Sequence, residues 1–408
     1  MSTDIPGTLL LDPDVIDDPY PFYRRLQAEA PVWRVSGTDV VAISTYPLIA
    51  EAASRVEDYS SHMRHLLYRG DAGLPERVPF GDAGADALAT ADPPRHKLHR
   101  DVVFSELVSN RMDALEPEVT AIADDCIAEV TDPTFDFMAI VGNVVPITVM
   151  TRLIGFRNAG RRDLFDAAVD STSMLGATLS RAELDQRILR TLEIETWIGE
   201  QLSEEVEKPG DDILGAVAHG VSDGVLTHQE GCVVLHTLLS AGGESTTSLI
   251  GNAVRILAER QDLQDLLRRS PTLIPAFIEE VLRLESPFRF LLRTASRDST
   301  LVGVDIPHES TVLLLWGAAN RDAATFQSPD DIVLDRKVPR RHVAFGRGIH
   351  HCVGAPLARL ESRVVLSRFL AQTSKFSLDQ NDRPEWVQSL MVRRHDRLVL
   401  RVSPGGEA

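Results

Sequence analysis

Apolar residues recur with helical spacing along most of the chain, so the pattern predicts a mainly α protein with a minor β component. Strand-like alternation is confined to short pieces, from Val32 to Val41, from Thr311 to Trp316 and from Leu398 to Val402. The longest predicted helix starts at Thr227, because Thr227 and Glu230 make a capping box ahead of an apolar run that continues to Arg260. That is roughly 33 residues, or about 50 Å at about 1.5 Å per residue, enough to cross a domain. In its middle stand Ala241, Gly242, Gly243, Glu244, Ser245 and Thr246. Adjacent glycines there cost about 1 kcal/mol each relative to alanine. Two reasons would justify that cost: a local opening of the hydrogen-bond ladder, or close packing against a neighbouring helix. The opening is the expectation carried forward.

Between Tyr68 and Pro94 the chain is rich in glycine and proline, which predicts a long functional loop, a lid over a substrate site. Residues 207–212, with Pro209 and Gly210, read as a helix connection. No internal repeat or low-complexity tract interrupts this organisation.

The candidate chemistry lies in the run Phe345, Gly346, Arg347, Gly348, Ile349, His350, His351, Cys352, Val353, Gly354. A glycine-rich turn here presents one cysteine just before a helix that starts near Ala355 and Pro356, a proline suited to a first turn. The free N–H groups and positive end of that helix favour a thiolate and lower its pKa. Cys126 and Cys232 lack such surroundings and read as small buried hydrophobes.

This run resembles the haem-binding loop of cytochromes P450 at its signature positions, Phe345, Gly348, Cys352 and Gly354. The resemblance implies haem b with Cys352 as axial ligand, and a triangular-prism fold that holds the haem between the long helix and the helix after the cysteine. It implies a cofactor shell of His96, Arg100, Ala241, Arg293, Phe345, Gly346, His350 and Gly354. Of these, His96, Arg100, Arg293 and His350 match positions that bind the haem propionates. Glu280 and Arg283 match the family's Glu-x-x-Arg helix, and Arg336 its later partner; together they imply a buried structural ion network. Glu244 and Ser245 match the acid and alcohol pair that relays protons, although the alcohol is usually threonine, so Thr246 is a second candidate hydroxyl. Residues so far apart converging on one cofactor imply one domain over 1–408.

A thiolate opposite the oxygen site favours O–O cleavage, which points to monooxygenation. The cysteines are too few for an iron–sulfur cluster and no dinucleotide fingerprint is appended, so electrons are expected from a ferredoxin and its reductase. Arg340, Arg341 and Arg347 are the expected donor-facing patch. Phe288, Phe290 and Leu291 are expected to line a pocket for a hydrophobic small molecule. Composition narrows the field further. A formal net charge of -18 disfavours nucleic acid. Three cysteines without paired spacing argue against a disulfide framework and fit a reducing cytoplasm. The amino terminus lacks a basic segment followed by an apolar one, and no apolar run could span a bilayer, so neither export nor anchoring is expected. Two other classes compete: a non-catalytic haem-thiolate gas sensor, against which Glu244 and Ser245 argue, and a thiol enzyme with Cys352 as nucleophile, against which the other haem-site matches argue.

Overall fold

The computed structural model describes residues 5–80, 85–104, 107, 109–158 and 160–402. Helices dominate: α1 (Pro13–Asp17), α2 (Tyr20–Glu29), α3 (Tyr46–Ser54), α4 (Arg95–Phe104), α5 (Ser109–Ala128), α6 (Val144–Ile154) and α7 (Arg161–Ser173) lie in the first half. They are followed by α8 (Arg181–Glu207), α9 (Ile213–Ser222), α10 (His228–Glu259), α11 (Gln261–Arg269), α12 (Ile274–Leu284), α13 (Trp316–Ala319) and α14 (Ala355–Gln372). The main sheet has the order β1 (Val32–Arg34), β2 (Val40–Ile43), β10 (Thr311–Leu314), β7 (Leu291–Ala295), β3 (Tyr59–Ser60). Only β2 and β10 pair in parallel there. A three-stranded sheet joins β11 (Phe376–Leu378), β12 (Val399–Val402) and β6 (Thr134–Asp136), and two hairpins pair β4 (His65–Arg69) with β5 (Pro75–Pro79) and β8 (Ser299–Leu301) with β9 (Val304–Ile306).

The capping box that starts α10 is present: the Thr227 hydroxyl accepts from the Glu230 N–H at 3.1 Å, and Glu230 accepts from the Thr227 N–H at 2.7 Å. Beyond its first turn α10 is apolar on most of its circumference, as a helix through the centre of a large core must be. It packs against α6, α7, α8 and α14.

Three expectations need correction. First, α10 runs unbroken through its glycines. A Cβ on Gly242 would come 2.6 Å from Met150 Sδ, and one on Gly243 would come 3.1 Å from Ile147 Cδ1, so close packing against α6 explains both residues. Second, Val32 to Val41 is not one continuous strand: it holds β1, a turn in which Gly37 takes a φ of +79°, and the first two residues of β2. Third, the Tyr68 to Pro94 segment is not a continuous loop; Tyr68 and Arg69 pair with Glu76 and Pro75 in the β4–β5 hairpin. Its residues 81–84 lie outside the described residues.

Candidate active site

Two glycines in the left-handed region shape the Cys352 loop, Gly346 at φ +70° and Gly348 at φ +77°. A Cβ on Gly348 would also meet the Ala53 carbonyl oxygen at 2.9 Å, so this position excludes any side chain twice over. The Cys352 N–H donates to the Phe345 carbonyl at 2.9 Å, closing the loop, and α14 begins three residues later with Pro356 in its first turn. Phe345 lies under the Arg359 guanidinium, 4.5 Å from the ring centroid.

Cys352 has exposed surface, yet it sits deep inside the protein's perimeter, and that burial pushes its thiol up. The N–H groups of Gly354 and Ala355 and the charges of Arg100 and Arg359 pull the other way without overcoming it. The helix terminus thus acts in the expected direction, and burial acts against it. A metal ion held by Cys352 would remove the thiol proton, and the same N–H groups would stabilise the charge of the sulfur. Cys126 and Cys232 are buried, and burial pushes both thiols up to about 11.

Beside the cysteine a cationic rim assembles from distant parts of the chain. The rings of His96 on α4 and His350 lie 4.1 Å apart. Arg100, one turn beyond His96, donates to the His351 carbonyl at 2.8 Å. Burial, followed by Arg293, His96 and Arg100, pushes His350 down to about 3, so all four groups share one field. Arg293 on β7 is buried, which pushes it down to about 10, and its hydrogen bond runs to the carbonyl of its own neighbour Leu292. Among the described residues no carboxylate pairs with it, and the buried Nε2 of His350 has no partner. Buried cations and donors left over in this way fit the two carboxylates of a haem, which would complete them.

The acid on α10 is held elsewhere. Glu244 is buried, accepts from Arg394 Nε at 3.0 Å, and accepts from the Thr172 hydroxyl on α7. Burial raises its carboxyl more than Arg394 and Thr172 lower it. The Ser245 hydroxyl donates to the Ala241 carbonyl at 2.6 Å, the local bond helical serines commonly make. Ala241 is exposed and Ser245 half-buried in the middle of this otherwise buried helix, whereas Thr246 is buried. The hydrogen bonds of Glu244 and Ser245 thus run to α7, to α10 itself and to the C-terminal segment, not to the Cys352 loop.

Glu280, Arg283 and Arg336 are brought together. Arg283 forks onto both Glu280 oxygens at 2.9 Å, and Arg336 Nε reaches Oε1 at 2.7 Å. Of the three expected apolar residues, Phe290 is fully buried in the sheet-side core, while Phe288 and Leu291 are partly buried. Arg340, Arg341 and Arg347 are exposed; Arg340 approaches Glu279 at 3.7 Å, and Arg341 and Arg347 flank Tyr46.

Several buried ionic groups escaped the sequence reading. Glu285 accepts from Tyr20 at 2.6 Å and Arg393 at 3.0 Å, with Arg255 and Arg321 at 3.4 Å. Glu279 accepts from Arg359 at 2.6 Å and pairs with His342 at 2.9 Å. The consecutive Arg393 and Arg394 near the C terminus, directly after the apolar run Leu390 to Val392, were the available signal, since arginines drawn into a core need acids to meet.

A model of the cytochrome P450 family matches residues 200–399. Cytochrome P450 144 of Mycobacterium tuberculosis is 37% identical over 391 residues, covering 95% of this chain and 89% of that protein. 6-Deoxyerythronolide B hydroxylase of Saccharopolyspora erythraea is 32% identical over 94% of this chain and 96% of its own. Among solved structures, CYP109E1 from Bacillus megaterium in complex with testosterone matches with a TM-score of 0.85 at 27% identity, covering 96% of this chain and 99% of that one.

Proposed function

Because the chain belongs to the cytochrome P450 family of haem-thiolate monooxygenases, we propose that Cys352 is its axial ligand and that one atom of dioxygen is inserted into a hydrophobic small molecule. The observation that carries the site assignment is the rim of His96, Arg100, Arg293 and His350 beside the Cys352 loop, with its unpaired buried arginine and unpartnered imidazole nitrogen. Haem b held there would supply dioxygen activation, the chemistry that an anionic sulfur ligand favours.

The remaining work falls to side chains. The N–H groups of Gly354 and Ala355 hold the charge of the sulfur. Glu244 is the acid of the proton relay in this reading: burial raises its carboxyl, and Arg394 is placed to take up the carboxylate charge when a proton leaves. Ser245, free to leave its bond to the Ala241 carbonyl, is the hydroxyl nearest in sequence to receive it, with Thr246 next. The 1–408 chain acts as one domain in this reading, since α4, α10, β7 and the Cys352 loop must stay fixed relative to one another. Electrons come from NAD(P)H through a ferredoxin reductase and a ferredoxin, which the exposed Arg340, Arg341 and Arg347 attract. The substrate is a largely apolar molecule that meets Phe288 and Leu291, while Phe290, buried in the sheet-side core, backs them. One relative is named for hydroxylating 6-deoxyerythronolide B and one structural neighbour holds testosterone, and both names support that class. Among the described residues no helix is long and apolar enough to cross a membrane.

The test is spectroscopic. Reduced protein under carbon monoxide should show the thiolate-type Soret band, and Cys352→His should lose it. A thiolate-type band that survives in Cys352→His would reject the ligand assignment.

A further inference from the structure

At the C-terminal end of α10 an open pocket of about 590 Å³ lies between that helix and the chain from Leu378 to His395. Arg255, on its helix wall, stands eleven residues beyond Glu244, about 16 Å along α10 at about 1.5 Å per residue. No residue assigned above to the haem, the substrate or the electron donor lines this pocket. Its opposite wall is fixed by a stack. Trp386 and His395 pair as an antiparallel bridge, and their ring centres lie 3.7 Å apart with planes at 27°. The Arg393 guanidinium carbon is 3.3 Å from the Trp386 ring centre, and Arg393 is itself held by Glu285 at 3.0 Å. Two groups so near the ring cannot share a face. His395 and Arg393 therefore cover opposite faces of the indole and leave its edge to the pocket.

Three groups that line the pocket lack what their chemistry requires. His395 Nδ1 lies 3.2 Å from the Glu385 carbonyl, and a carbonyl can only accept, so the ring proton sits on Nδ1. Burial, followed by the charge of Arg255, pushes His395 down to about 3. The ring is therefore neutral and Nε2 is an acceptor. That nitrogen is buried and receives no donor among the described residues. Arg255 is the converse case: its terminal nitrogens reach Glu259 at 2.7 Å and Glu285 at 3.4 Å, but its buried Nε has no acceptor. Arg383 is exposed at the rim, and among the described residues no carboxylate pairs with it, because Asp382 is taken by Arg397 and Asp379 by Arg401. Since Arg255 already balances Glu259, the charge left over on the pocket is positive. A buried acceptor and a buried donor, both orphaned on one pocket, are the pattern that a bound polar molecule completes.

We propose that this pocket is a second ligand site, separate from the haem site, for a small carboxylic acid that has an apolar body and a hydroxyl group. The hydroxyl supplies the donor that His395 Nε2 lacks, and a ligand oxygen supplies the acceptor that Arg255 Nε lacks. The carboxylate meets Arg383, and the apolar body lies against Leu378, Pro384 and the edge of Trp386. A molecule without the hydroxyl is discriminated against, because it leaves Nε2 buried without a donor. The site does not rest on the haem reading, since none of its groups belongs to that centre.

The test titrates 4-hydroxybenzoate into the haem-loaded, carbon monoxide-bound enzyme labelled with nitrogen-15 in its four tryptophans. Trp386→Phe identifies the Trp386 indole N–H signal, which should move saturably with ligand while the other three stay. Benzoate, which lacks the hydroxyl, and phenol, which lacks the carboxylate, should each bind about 10-fold more weakly, the loss of one polar contact. His395→Phe keeps a ring on Trp386 and should weaken 4-hydroxybenzoate by that same factor while leaving benzoate unchanged. Arg383→Gln should weaken both acids and leave phenol unchanged. Arg162→Gln, exposed on α7 and outside the pocket, controls for net charge and should change none of them. Should His395→Phe fail to fold, the three probes on the unaltered protein and Arg383→Gln still decide. The proposal is overturned by the absence of a saturable Trp386 shift, by shifts shared among all four tryptophans, or by equal affinity for 4-hydroxybenzoate and benzoate. Equal weakening of both acids by His395→Phe overturns it too, since the ring would then act by packing alone. Because the readout is at Trp386, loss of the carbon monoxide Soret band in the unaltered protein would condemn the haem-thiolate assignment and not this site.

Discussion

Replacing Glu280 by glutamine keeps its shape and removes one charge from the centre of an ion network. Its partner Arg283 is fully buried, and Glu280 itself is 1% exposed. In the unaltered protein the carboxylate accepts two bonds from Arg283 at 2.9 Å, one from Arg336 at 2.7 Å and one from the Val333 N–H at 2.9 Å. Arg283 in turn donates to the carbonyls of Asn320, Pro329 and Asp331 at 3.1, 2.5 and 2.7 Å, so it cannot swing out to water without releasing that segment. Glutamine would leave both arginines uncompensated and point an amide N–H₂ at one of them. Breaking a buried pair from one side costs about 3–5 kcal/mol. Against a total stability of about 5–15 kcal/mol, that is about a fifth or more of the folding free energy of a typical domain. The matched control is Glu118→Gln, whose 3.0 Å pair with Arg152 has side chains 44% and 58% exposed. An exposed pair of that kind is worth less than about 1 kcal/mol. Urea titration of both haem-loaded variants, followed by circular dichroism with the refolding limb traced, gives the two losses on one scale. Losses that agree within about 0.5 kcal/mol would refute the claim that burial, not charge pairing as such, sets the value of this network.

Four further outcomes are expected. Burial pushes Glu285 up, but Arg393, Arg255, Arg321 and the Tyr20 hydrogen bond overcome it and hold it at about 2, below the ordinary 4.5. A depressed carboxyl stabilises the fold above its unfolded value and loses that contribution as pH falls, so Glu285→Gln should flatten the fall in stability between pH 4.5 and about 2, a contribution on the order of 3 kcal/mol; denaturant midpoints across that range check it. Gly242→Ala should destabilise by about 1 kcal/mol, overpacking against Met150 outweighing the gain in helix propensity, whereas a stabilised variant would mean that the glycine serves no packing role. Ser245→Ala should keep haem binding and NAD(P)H consumption but divert electrons to hydrogen peroxide; peroxide release from Thr246→Ala alone would move the working hydroxyl one residue along. Charge reversal at Arg340 and Arg341 should slow reduction by ferredoxin, less so at high salt, and leave reduction by dithionite unchanged, as stopped-flow measurements would show.

Much of the site could be read before any coordinates, because its signals are local. The capping box at Thr227 and Glu230, the proline in the first turn after Cys352, and the glycines of the cysteine loop each act within a few residues, and each lies in the expected place. Arg283 and Glu280 share one helical turn, so their pairing was open to the same kind of reading. Local rules also have a limit, and Gly242 and Gly243 mark it. Two glycines in a helix announce a reason without saying which, and only the Met150 and Ile147 side chains of α6 identify it as packing.

What tertiary structure alone decided are the contacts whose partners lie far apart in sequence. Arg394 meets Glu244 across 150 residues and Arg393 meets Glu285 across 108, and neither pairing has a periodicity or spacing that could announce it. The surroundings of the Cys352 thiol belong to the same class: the loop and helix terminus lower it as the sequence predicts, but the opposing desolvation depends on everything packed around the sulfur. Secondary structure, caps and motif identity follow from forces between near neighbours along the chain. Burial and charge compensation are properties of the folded interior, where Glu195, Ser171 and His236 come from three different helices to form one chain of hydrogen bonds.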